Sequence, residues 1–432
     1  MTRISNFKAI LKNPRYFRIW ILGPGIRAFA TLCGYALGSL ALIALVGACG
    51  SSSGRIIDSA YPVRNNDPTP PMAAGNSDST HPVRIPAEWE KHKATWMQWP
   101  RAEEAGMRRN FSAIIAALRK YEPINILVES NADRRQAEIF LTEHGVPLSH
   151  ITWHIMPYDW AWMRDNGPVW SVKSDEQIVQ NWGFNGWGLG PPYADDDAVP
   201  CRVAAIEGRE CKTHPMINEG GNLEFNGAGA LIANWVCQRN RNPGVTRAET
   251  ETLFRRAFGL TRIVWLLSEP SDDITNGHVD GIARFIDEDT VAVARYVSHT
   301  DPDAPVYEEA AAIIKNAGFE VVRVDMPGYV MHNGYPLPAN YLNWLVANGV
   351  VIVPRFGVPA WDAAARATIA GFFPDRDVVM VEILDIWAEG GGVHCVTNNQ
   401  PVPLATSSTT DSRDYNGDGT SDIAIFRGSS GL

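Results

Sequence analysis

Apolar residues in the first third of the chain recur at helical spacing and then as a short continuous run. The spacing predicts a helix with one buried face, because that face would carry Phe111, Ile114, Ile115 and Leu118. The apolar run at 124–128 follows and predicts a short strand. The pattern therefore predicts a unit in which a helix is followed by a strand.

This helix–strand unit recurs along the chain. Further helix-like segments, each followed by a strand-like or extended stretch, lie at about 198–208, 247–258, 306–317 and 362–373. Another helix-like segment, at 133–144, also leads into an extended stretch, so the number of units is not fixed by the pattern. The alternation predicts an α/β fold, and a period of roughly 60 residues favours repeated modules around an axis. Periodicity alone does not fix the number of modules at five.

Two changes in sequence character predict the domain boundaries. Residues 49–82 are rich in Ser, Pro, Asn, Asp and Gly without an apolar period, which is typical of a flexible linker. Apolar runs and amphipathic segments continue through 83–404, which we interpret as one folded domain. This leaves a leader at 1–48 and a short polar tail at 405–432.

The leader has the layout of an export signal. It contains six basic residues and no acidic one, and the stretch 28–48 is uncharged and mostly apolar. Val-Gly-Ala at 46–48 precedes Cys49, so the leader resembles a bacterial lipoprotein signal peptide, which implies that Cys49 is lipidated. The alternative is a plain transmembrane anchor, because the 21 residues of that stretch just suffice to span a bilayer. Both interpretations predict an exported body attached to a membrane of a bacterial cell envelope.

Composition and charge narrow the class of protein. The chain of 432 residues is 45% hydrophobic and 20% charged, which is typical of a packed globular protein. Residues 49–432 carry 32 basic and 48 acidic side chains, a net charge of −16. This balance disfavours a nucleic-acid partner and suits a cationic substrate.

Four cysteines lie beyond the leader and the linker. They are Cys201, Cys211, Cys237 and Cys395. In an oxidising compartment Cys201 and Cys211 are close enough in sequence to form a disulfide, and two buried free thiols are an equal alternative.

The tail carries oxygen-bearing side chains at alternate positions. Asp414, Asn416, Asp418 and Asp422 lie around Gly419, and their spacing resembles the calcium loops of extracellular calcium-binding repeats. The alternative is a polar tail that merely contains Asp and Gly. The first interpretation predicts Ca²⁺ bound by the four oxygen-bearing residues.

Four segments far apart in sequence combine acidic, His or Cys residues with glycine, which is typical of loops that form sites. They are 162–168, 218–222, 276–281 and 390–397. A cysteine, a histidine and several carboxylates suit attack on a guanidinium group. Carboxylates pair with its N–H groups, a thiolate adds to its carbon, and histidine transfers protons.

The same residue types fit other sites. A papain-like Cys–His hydrolase is one alternative, and a metal site with His278, Asp280 and Cys395 as ligands is another. The absence of a CxxC pair disfavours the metal site. Taken singly, Asp165 and Glu219 are explained as turn residues and Cys395 as inert core.

Longer motifs single out one family. Residues 85–92 and 95–100 look like its N-terminal signature, the four segments look like its active-site segments in order, and 195–200 and 347–354 match as well. On these motifs the sequence resembles the agmatine deiminase and bacterial peptidylarginine deiminase family along 83–404. The resemblance implies that this stretch is a deiminase catalytic domain. It also implies the pentein fold, an α/β-propeller of five ββαβ modules around a pseudo-fivefold axis, with the active site at its centre.

The resemblance assigns roles to single residues. It implies that Cys395 is the nucleophile and forms a covalent thiouronium intermediate, and that Asp165 and Asp280 hold the guanidinium. It further implies that His278 protonates the departing ammonia and then activates water, while Glu219 orients the site. No cofactor is required for this chemistry.

Two further residues, Trp162 and Gly392, bear on the expected substrate. Trp162 is expected to pack against the substrate. Agmatine deiminases read Gly-Gly-Gly-Asn-Ile-His-Cys up to the nucleophile, whereas Gly392 occupies the Asn position here. We expect hydrolysis of agmatine to N-carbamoylputrescine and ammonia. The alternatives are an exported peptidylarginine deiminase acting on arginine-containing peptides, and a catalytically inactive surface-binding protein.

Overall fold

A computed structural model describes residues 83–190, 192–271, 273–297 and 301–403. The leader with Cys49, the linker and the tail with its calcium-like loop lie outside these residues. Within the described ranges, none of the helices combines the length and the apolar character that a bilayer span requires.

The strands of the described residues fall into short, regularly spaced groups. They are β1 (His92–Gln98), β2 (Ile124–Val128), β3 (Ile151–Ile155), β4 (Val169–Lys173), β5 (Glu176–Gly183), β6 (Glu210–Ile217), β7 (Glu224–Phe225), β8 (Ala230–Asn234), β9 (Arg262–Leu266), β10 (Ala283–Phe285), β11 (Thr290–Tyr296), β12 (Glu320–Met326), β13 (Tyr329–His332), β14 (Tyr335–Pro338), β15 (Leu345–Ala347), β16 (Val350–Arg355), β17 (Asp377–Glu382) and β18 (Asn398–Pro401). The α-helices between them are α1 (Arg108–Leu118), α2 (Asn131–Glu143), α3 (Met163–Asn166), α4 (Ala194–Glu207), α5 (Trp235–Arg241), α6 (Arg247–Phe258), α7 (Ala304–Asn316), α8 (Pro359–Phe372) and α9 (Leu384–Ala388).

Four of the sheets share one connection pattern. In β4–β5–β6, β7–β8–β9, β10–β11–β12 and β15–β16–β17 the first two strands are antiparallel and the last two are parallel. Parallel neighbours need a crossover connection. Helices supply this connection in all four sheets. Helix α4 joins β5 to β6, helices α5 and α6 together join β8 to β9, α7 joins β11 to β12, and α8 joins β16 to β17. Each sheet is thus a ββαβ module; we number these four the second to the fifth.

The first module joins the two ends of the described chain. Strand β18 pairs antiparallel with β1, and β1 pairs parallel with β2 across α1. Helix α2 then leads to an additional strand, β3, on the far side of β2. The prediction of five ββαβ modules is confirmed, and the helix that blurred the count is α2.

Helix limits follow local chemistry and differ little from those expected. The helix expected at about 198–208 begins earlier, at Ala194, since three aspartates in its first turn interact favourably with the positive helix N-terminus. Helix α6 begins where predicted, because Thr246 and Glu249 form a capping box. It ends at Gly259, whose φ of 69° is a left-handed conformation that glycine adopts without steric cost.

The helices bury the faces that the apolar spacing predicts. Phe111, Ile114, Ile115 and Leu118 of α1 are fully buried. All residues of β8 and all but the last of β16 are buried as well, since each of these strands has a neighbour on both edges. Each module therefore has an apolar body, and the polar segments between modules are left to form the site.

Cys201 on α4 and Cys211 on β6 form a disulfide within the second module, with their Cα atoms 5.3 Å apart. Of the two alternatives for this pair, the structure has the disulfide. Cys237 and Cys395 are free and buried. The two buried thiols are thus the ones that remain available for chemistry.

Candidate active site

The residues just before the first strand of each module form what we call the lead segments. They are 162–168 before β4, 218–222 before β7, 276–281 before β10, 340–344 before β15 and 390–397 before β18. Four of them are the segments that the sequence singles out. The module repeat thus supplies the site, because it brings one lead segment from every module toward the same place.

Direct contacts join the lead segments. The backbone N–H of Arg164 donates to the carbonyl of Cys395 at 3.1 Å, and that of Gly221 donates to Oδ1 of Asp165 at 3.0 Å. The backbone N–H of His394 donates to Oδ1 of Asn343 at 3.0 Å. The four predicted segments are therefore brought together, and the fifth lies among them.

Cys395 lies between α9 and β18 and is 8% exposed. Its Sγ is 3.6 Å from Oδ2 of Asp280 and accepts a hydrogen bond from Nδ2 of Asn343 at 3.2 Å. Burial, together with the charges of Asp280 and Asp165, raises the pKa of the thiol well above its usual value. A cation between the two aspartates would cancel these charges, so cation binding and thiolate formation are coupled.

The two aspartates differ in their environments. Asp165, on α3, also accepts a hydrogen bond at Oδ2 from Nε1 of Trp187 at 2.8 Å. Burial raises its pKa even though the nearby His278 charge opposes the shift. Burial also acts to raise the pKa of Asp280, but the hydrogen bond and charge of His394 outweigh it and the pKa is lowered. The site thus contains one firmly ionised aspartate and one that a bound cation would help to ionise.

His278 has one ring nitrogen engaged and one free. Nε2 lies 2.7 Å from Oε2 of Glu219. Nδ1 lies 3.6 Å from Oδ1 of Asp165 and has no hydrogen-bond partner among the described residues. Burial acts to lower the pKa of His278, but Asp165, Cys237 and Glu219 outweigh it and hold the pKa well above its usual value. The imidazole is therefore protonated at neutral pH, with a buried Nδ1–H available to donate.

Glu219 holds the Nε2 side of the His278 ring and adds to the effect of Asp165 on its pKa. Its other oxygen, Oε1, accepts a hydrogen bond from Nε of Arg241 at 2.6 Å. Burial acts to raise the pKa of Glu219, but the Arg241 charge and the His278 hydrogen bond outweigh it and lower the pKa to about 2. Glu219 thus stays ionised and fixes the imidazole plane, which is the orienting arrangement that the family resemblance implies.

Metal ligation was the alternative for these residue types. Among the described residues, the group with metal-ligand geometry is Glu219, Cys237 and His278, whose ligand atoms lie within 4.8 Å of one another. It differs from the set considered from sequence, which includes Asp280 and Cys395. Metal ligands must lose their protons, whereas burial raises the pKa of the Cys237 thiol and His278 is held protonated. The donor chemistry therefore opposes a cation at this position.

Trp162 precedes α3 and is 8% exposed. A Cβ at Gly391 would collide with the Trp162 ring and would lie 2.9 Å from Cβ of Cys395. The indole is thus packed directly on the nucleophile segment, and only glycine permits this approach. Its packing against substrate stays a prediction.

Gly392, which departs from the family pattern, lies against two side chains of the site. A Cβ at this position would collide with Oδ1 of Asn343 and would lie 3.0 Å from Cζ3 of Trp387. Asn343 therefore occupies the space that a side chain at 392 would need. The side-chain amide that contacts the nucleophile in this chain is therefore that of Asn343, from the lead segment of the fifth module.

Three contacts of the site were missed from the sequence. Asn343 was missed although the repeat of lead segments, one per module, could have indicated a fifth near 340. His394 lies within the predicted segment 390–397, but nothing in its spacing indicates that its imidazole contacts Asp280. Trp187 has no spacing signal; it reaches Asp165 from the short 3-10 turn Gly186–Gly188 and has a φ of 56°, a conformation that is uncommon outside glycine.

Comparison with known proteins agrees with this geometry. The sequence profile of the Porphyromonas-type peptidyl-arginine deiminase family matches residues 84–401. The agmatine deiminase of Pseudomonas aeruginosa strain LESB58 is 32% identical over 362 residues, which cover 74% of this chain and 96% of the relative. The agmatine deiminase of Medicago truncatula is 30% identical over 381 residues, which cover 77% of this chain and 100% of the relative.

A solved structure shows the same architecture. The agmatine deiminase of Enterococcus faecalis catalysing its reaction superposes with a TM-score of 0.69 at 25% identity, covering 74% of this chain and 96% of that one. The fold and the site together define a hydrolase that acts on guanidino C–N bonds. The chain belongs to the Porphyromonas-type peptidyl-arginine deiminase family. The predicted pentein fold is confirmed.

Replacement of Gly392 tests the close packing of the nucleophile segment. Gly392→Asn restores the residue typical of agmatine deiminases, yet we expect kcat to fall by about tenfold or more, because Asn343 must move and loses its hydrogen bond to the thiol. Gly371→Ala is the matched control, since a Cβ there meets nothing within 4 Å, and it should keep full kcat. Steady-state kinetics measure both; unchanged or higher kcat in Gly392→Asn contradicts the packing argument.

Proposed function

We propose that this protein is an agmatine deiminase that hydrolyses agmatine to N-carbamoylputrescine and ammonia. One observation carries the proposal. The Cys395 thiol lies 3.6 Å from the carboxylate of Asp280, while a second buried aspartate, Asp165, and a protonated histidine lie beside it. Two carboxylates that receive a planar cation next to a nucleophilic sulfur are what attack on a guanidinium carbon requires.

The first half of the reaction uses the charges of the site. The guanidinium binds between Asp165 and Asp280, and its positive charge opposes the two charges that raise the pKa of the Cys395 thiol. The thiol loses its proton to solvent, and the thiolate adds to the guanidinium carbon and forms a C–S bond. The Nδ1–H of His278 then protonates the departing nitrogen, the C–N bond breaks, and ammonia leaves a thiouronium intermediate.

The second half returns the enzyme to its starting state. Neutral His278 takes a proton from water at Nδ1 while Glu219 holds Nε2 at 2.7 Å. The hydroxide adds to the thiouronium carbon, the C–S bond breaks, and the hydroxyl proton passes to the thiolate sulfur as the carbamoyl product leaves. Trp162 covers the substrate from the side of the nucleophile segment. No cofactor takes part in these steps.

The arginine side chains of the site distinguish the guanidino substrates. Within the described residues, Arg241 is bonded to Glu219, Asn276 and the carbonyl of Thr275. Arg164 and Arg284 are engaged with buried carbonyls, amides and carboxylates. The Nη2 of Arg164 makes no hydrogen bond among the described residues, but it is buried and lies 3.7 Å from Oε2 of Glu88, so all three guanidinium groups already face protein acceptors. This supports agmatine, which lacks that carboxylate, over free arginine.

A peptidylarginine substrate is the second candidate. A peptide-bound arginine also lacks the free α-carboxylate, and the family whose profile matches is named for peptidyl-arginine deiminases. The relatives named above are agmatine deiminases, which supports the first candidate.

Ammonia release from agmatine, free arginine and an arginine-containing peptide separates the candidates. We expect release from agmatine, and Cys395→Ala should abolish it because the other free thiol of the described residues, Cys237, contacts Glu219 and cannot replace the sulfur beside Asp280. Activity on the peptide alone would overturn the agmatine assignment in favour of citrullination. Full activity in Cys395→Ala would overturn the mechanism. Wild-type protein that is silent on all three substrates would favour a surface-binding role.

We further propose that the body is exported and held at the bacterial cell envelope by lipidated Cys49, with 49–82 as the tether. The lipoprotein-like leader motivates the proposal, and the Cys201–Cys211 disulfide is consistent with an oxidising compartment. In cells fed a labelled fatty acid, the wild type should be labelled and sediment with membranes. Cys49→Ala should lose the label, whereas Cys33→Ala, the matched leader variant, should keep it. Label on Cys49→Ala would contradict the lipid anchor.

The tail is proposed to bind calcium through Asp414, Asn416, Asp418 and Asp422. The support is the alternation of oxygen ligands around a glycine. Calorimetric titration of Ca²⁺ should give one site in the full chain and none in Asp418→Ala. Equal heats in the two proteins would contradict the proposal.

A further inference from the structure

A buried imidazole connects the substrate-binding aspartate to a second carboxylate behind it. Nδ1 of His394 lies 2.8 Å from Oδ2 of Asp280, and its Nε2 lies 2.8 Å from Oε2 of Glu88. The imidazole is 1% exposed. Ionised carboxylates only accept hydrogen bonds, so the arrangement is complete when both ring nitrogens carry a hydrogen.

Glu88 is itself held in place, so it serves as the fixed end of the chain. Its Oε2 is 3.0 Å from Nη2 of Arg284, and its Oε1 accepts a hydrogen bond from the backbone N–H of Val346 at 2.7 Å. Burial acts to raise the pKa of Glu88, but Arg284, His394 and Arg164 outweigh it and lower the pKa well below its usual value. The anchor is therefore a permanent anion.

The backbone of His394 is fixed as firmly as its ring. Its N–H donates to Oδ1 of Asn343 at 3.0 Å, and its carbonyl accepts from Nε of Arg164 at 3.3 Å. The imidazole therefore cannot follow Asp280 if that carboxylate rotates. Instead it imposes one rotamer on Asp280, the one that keeps Oδ2 3.6 Å from the Cys395 sulfur.

We infer that His394 is a positioning residue for the deimination reaction: anchored on Glu88, it holds Asp280 in the orientation that receives the guanidinium cation. This inference rests on the proposed function. His394 acts through Asp280 and has no assigned contact with substrate. The Asp280–His394–Glu88 chain is thus a support for the cation site, and it reaches the same carboxylate oxygen, Oδ2, that lies 3.6 Å from the nucleophile sulfur.

The direction of the pH effect follows from the groups around Asp280. The hydrogen bond and charge of His394 are the leading influences that lower its pKa against burial. The other charged or titratable groups that act on Asp280 or on Glu88 are His278, Arg284, Arg164, Asp165, Cys395 and Glu224. Removing the His394 contact raises the pKa of Asp280. When the solution is acidified, the variant therefore loses the ionised, cation-binding form of Asp280 at a higher pH than the wild type does. The acid limb of kcat/KM must then move to higher pH.

Two amide variants separate positioning from mere loss of charge. The side-chain amide nitrogen of Asn lies where Nδ1 of His lies, and that of Gln lies where Nε2 lies. His394→Asn therefore keeps a donor to Asp280, whereas His394→Gln keeps one to Glu88 and loses the contact with Asp280. Both variants lack the imidazole, and each places one amide donor on one side only, so their comparison shows whether activity follows the Asp280 contact or the Glu88 contact.

We expect kcat/KM for agmatine in His394→Gln to be about tenfold below that in His394→Asn, as for loss of a hydrogen bond to a charged group. The acid limb should move to higher pH in the Gln variant relative to the Asn variant. His154→Asn is the control. His154 is a partly buried imidazole whose Nε2 lies 2.9 Å from Oδ1 of Asn125, away from the Asp280–His394–Glu88 chain, so its acid limb should stay in place.

Equal kcat/KM values and superimposable pH profiles in the two His394 variants would overturn the inference, and so would a loss confined to thermal stability. If the wild type releases no ammonia from agmatine, the proposed function fails by itself. The inference is then tested without turnover, through the concentration of methylguanidine that gives half of its full effect on the rate at which iodoacetamide alkylates Cys395. His394→Gln should need about tenfold more methylguanidine for this half-effect than His394→Asn. Equal concentrations overturn the inference.

Discussion

The buried guanidinium of Arg284 is the interaction on which the centre of the molecule depends. It forms ion pairs with Glu88 and Glu224 at 3.0 and 2.9 Å, and it donates to the carbonyls of Leu342 and Trp344. Arg284 lies on the fourth module, and these partners belong to the first, third and fifth. Loss of one partner of a buried pair costs about 3–5 kcal/mol, because a charge is left uncompensated. Directional charged contacts, and not apolar packing alone, therefore fix the lead segments relative to one another.

The site built on this centre sets three carboxylates against three cationic groups. Asp165 and Asp280 lie near the thiol and their charges raise the pKa of Cys395, while Glu219 lies beside His278. Arg241 and His278 act on Glu219, and His394 acts on Asp280. Asp165 shares the charge of His278 with Glu219, and burial raises the pKa of Asp165. In the resting protein the nucleophile is therefore kept as a thiol until a cationic group binds.

Spacing in the sequence predicted the elements that are local and missed the contacts that are not. The buried face of α1 and the helix–strand alternation follow from positions a few residues apart, so they could be predicted. The pairing of β18 with β1 joins residues about 300 positions apart, and no period indicates it. Within the site, the four segments rich in glycine and charge were found. The contacts of Asn343, Trp187 and His394 were not, because a single amide, indole or imidazole becomes functional only through neighbours that folding supplies.

The pairing of β18 with β1 also sets an order of events. The first strand of the described residues, β1, gains its antiparallel partner from 398–401, which begins three residues beyond the nucleophile. During synthesis, the earliest module therefore stays an unfinished sheet with an open edge until almost the whole domain has been made. Cys395 and β18 are placed together when β18 pairs with β1. The reactive sulfur is therefore positioned beside its carboxylates only after the first and last strands of the domain have paired.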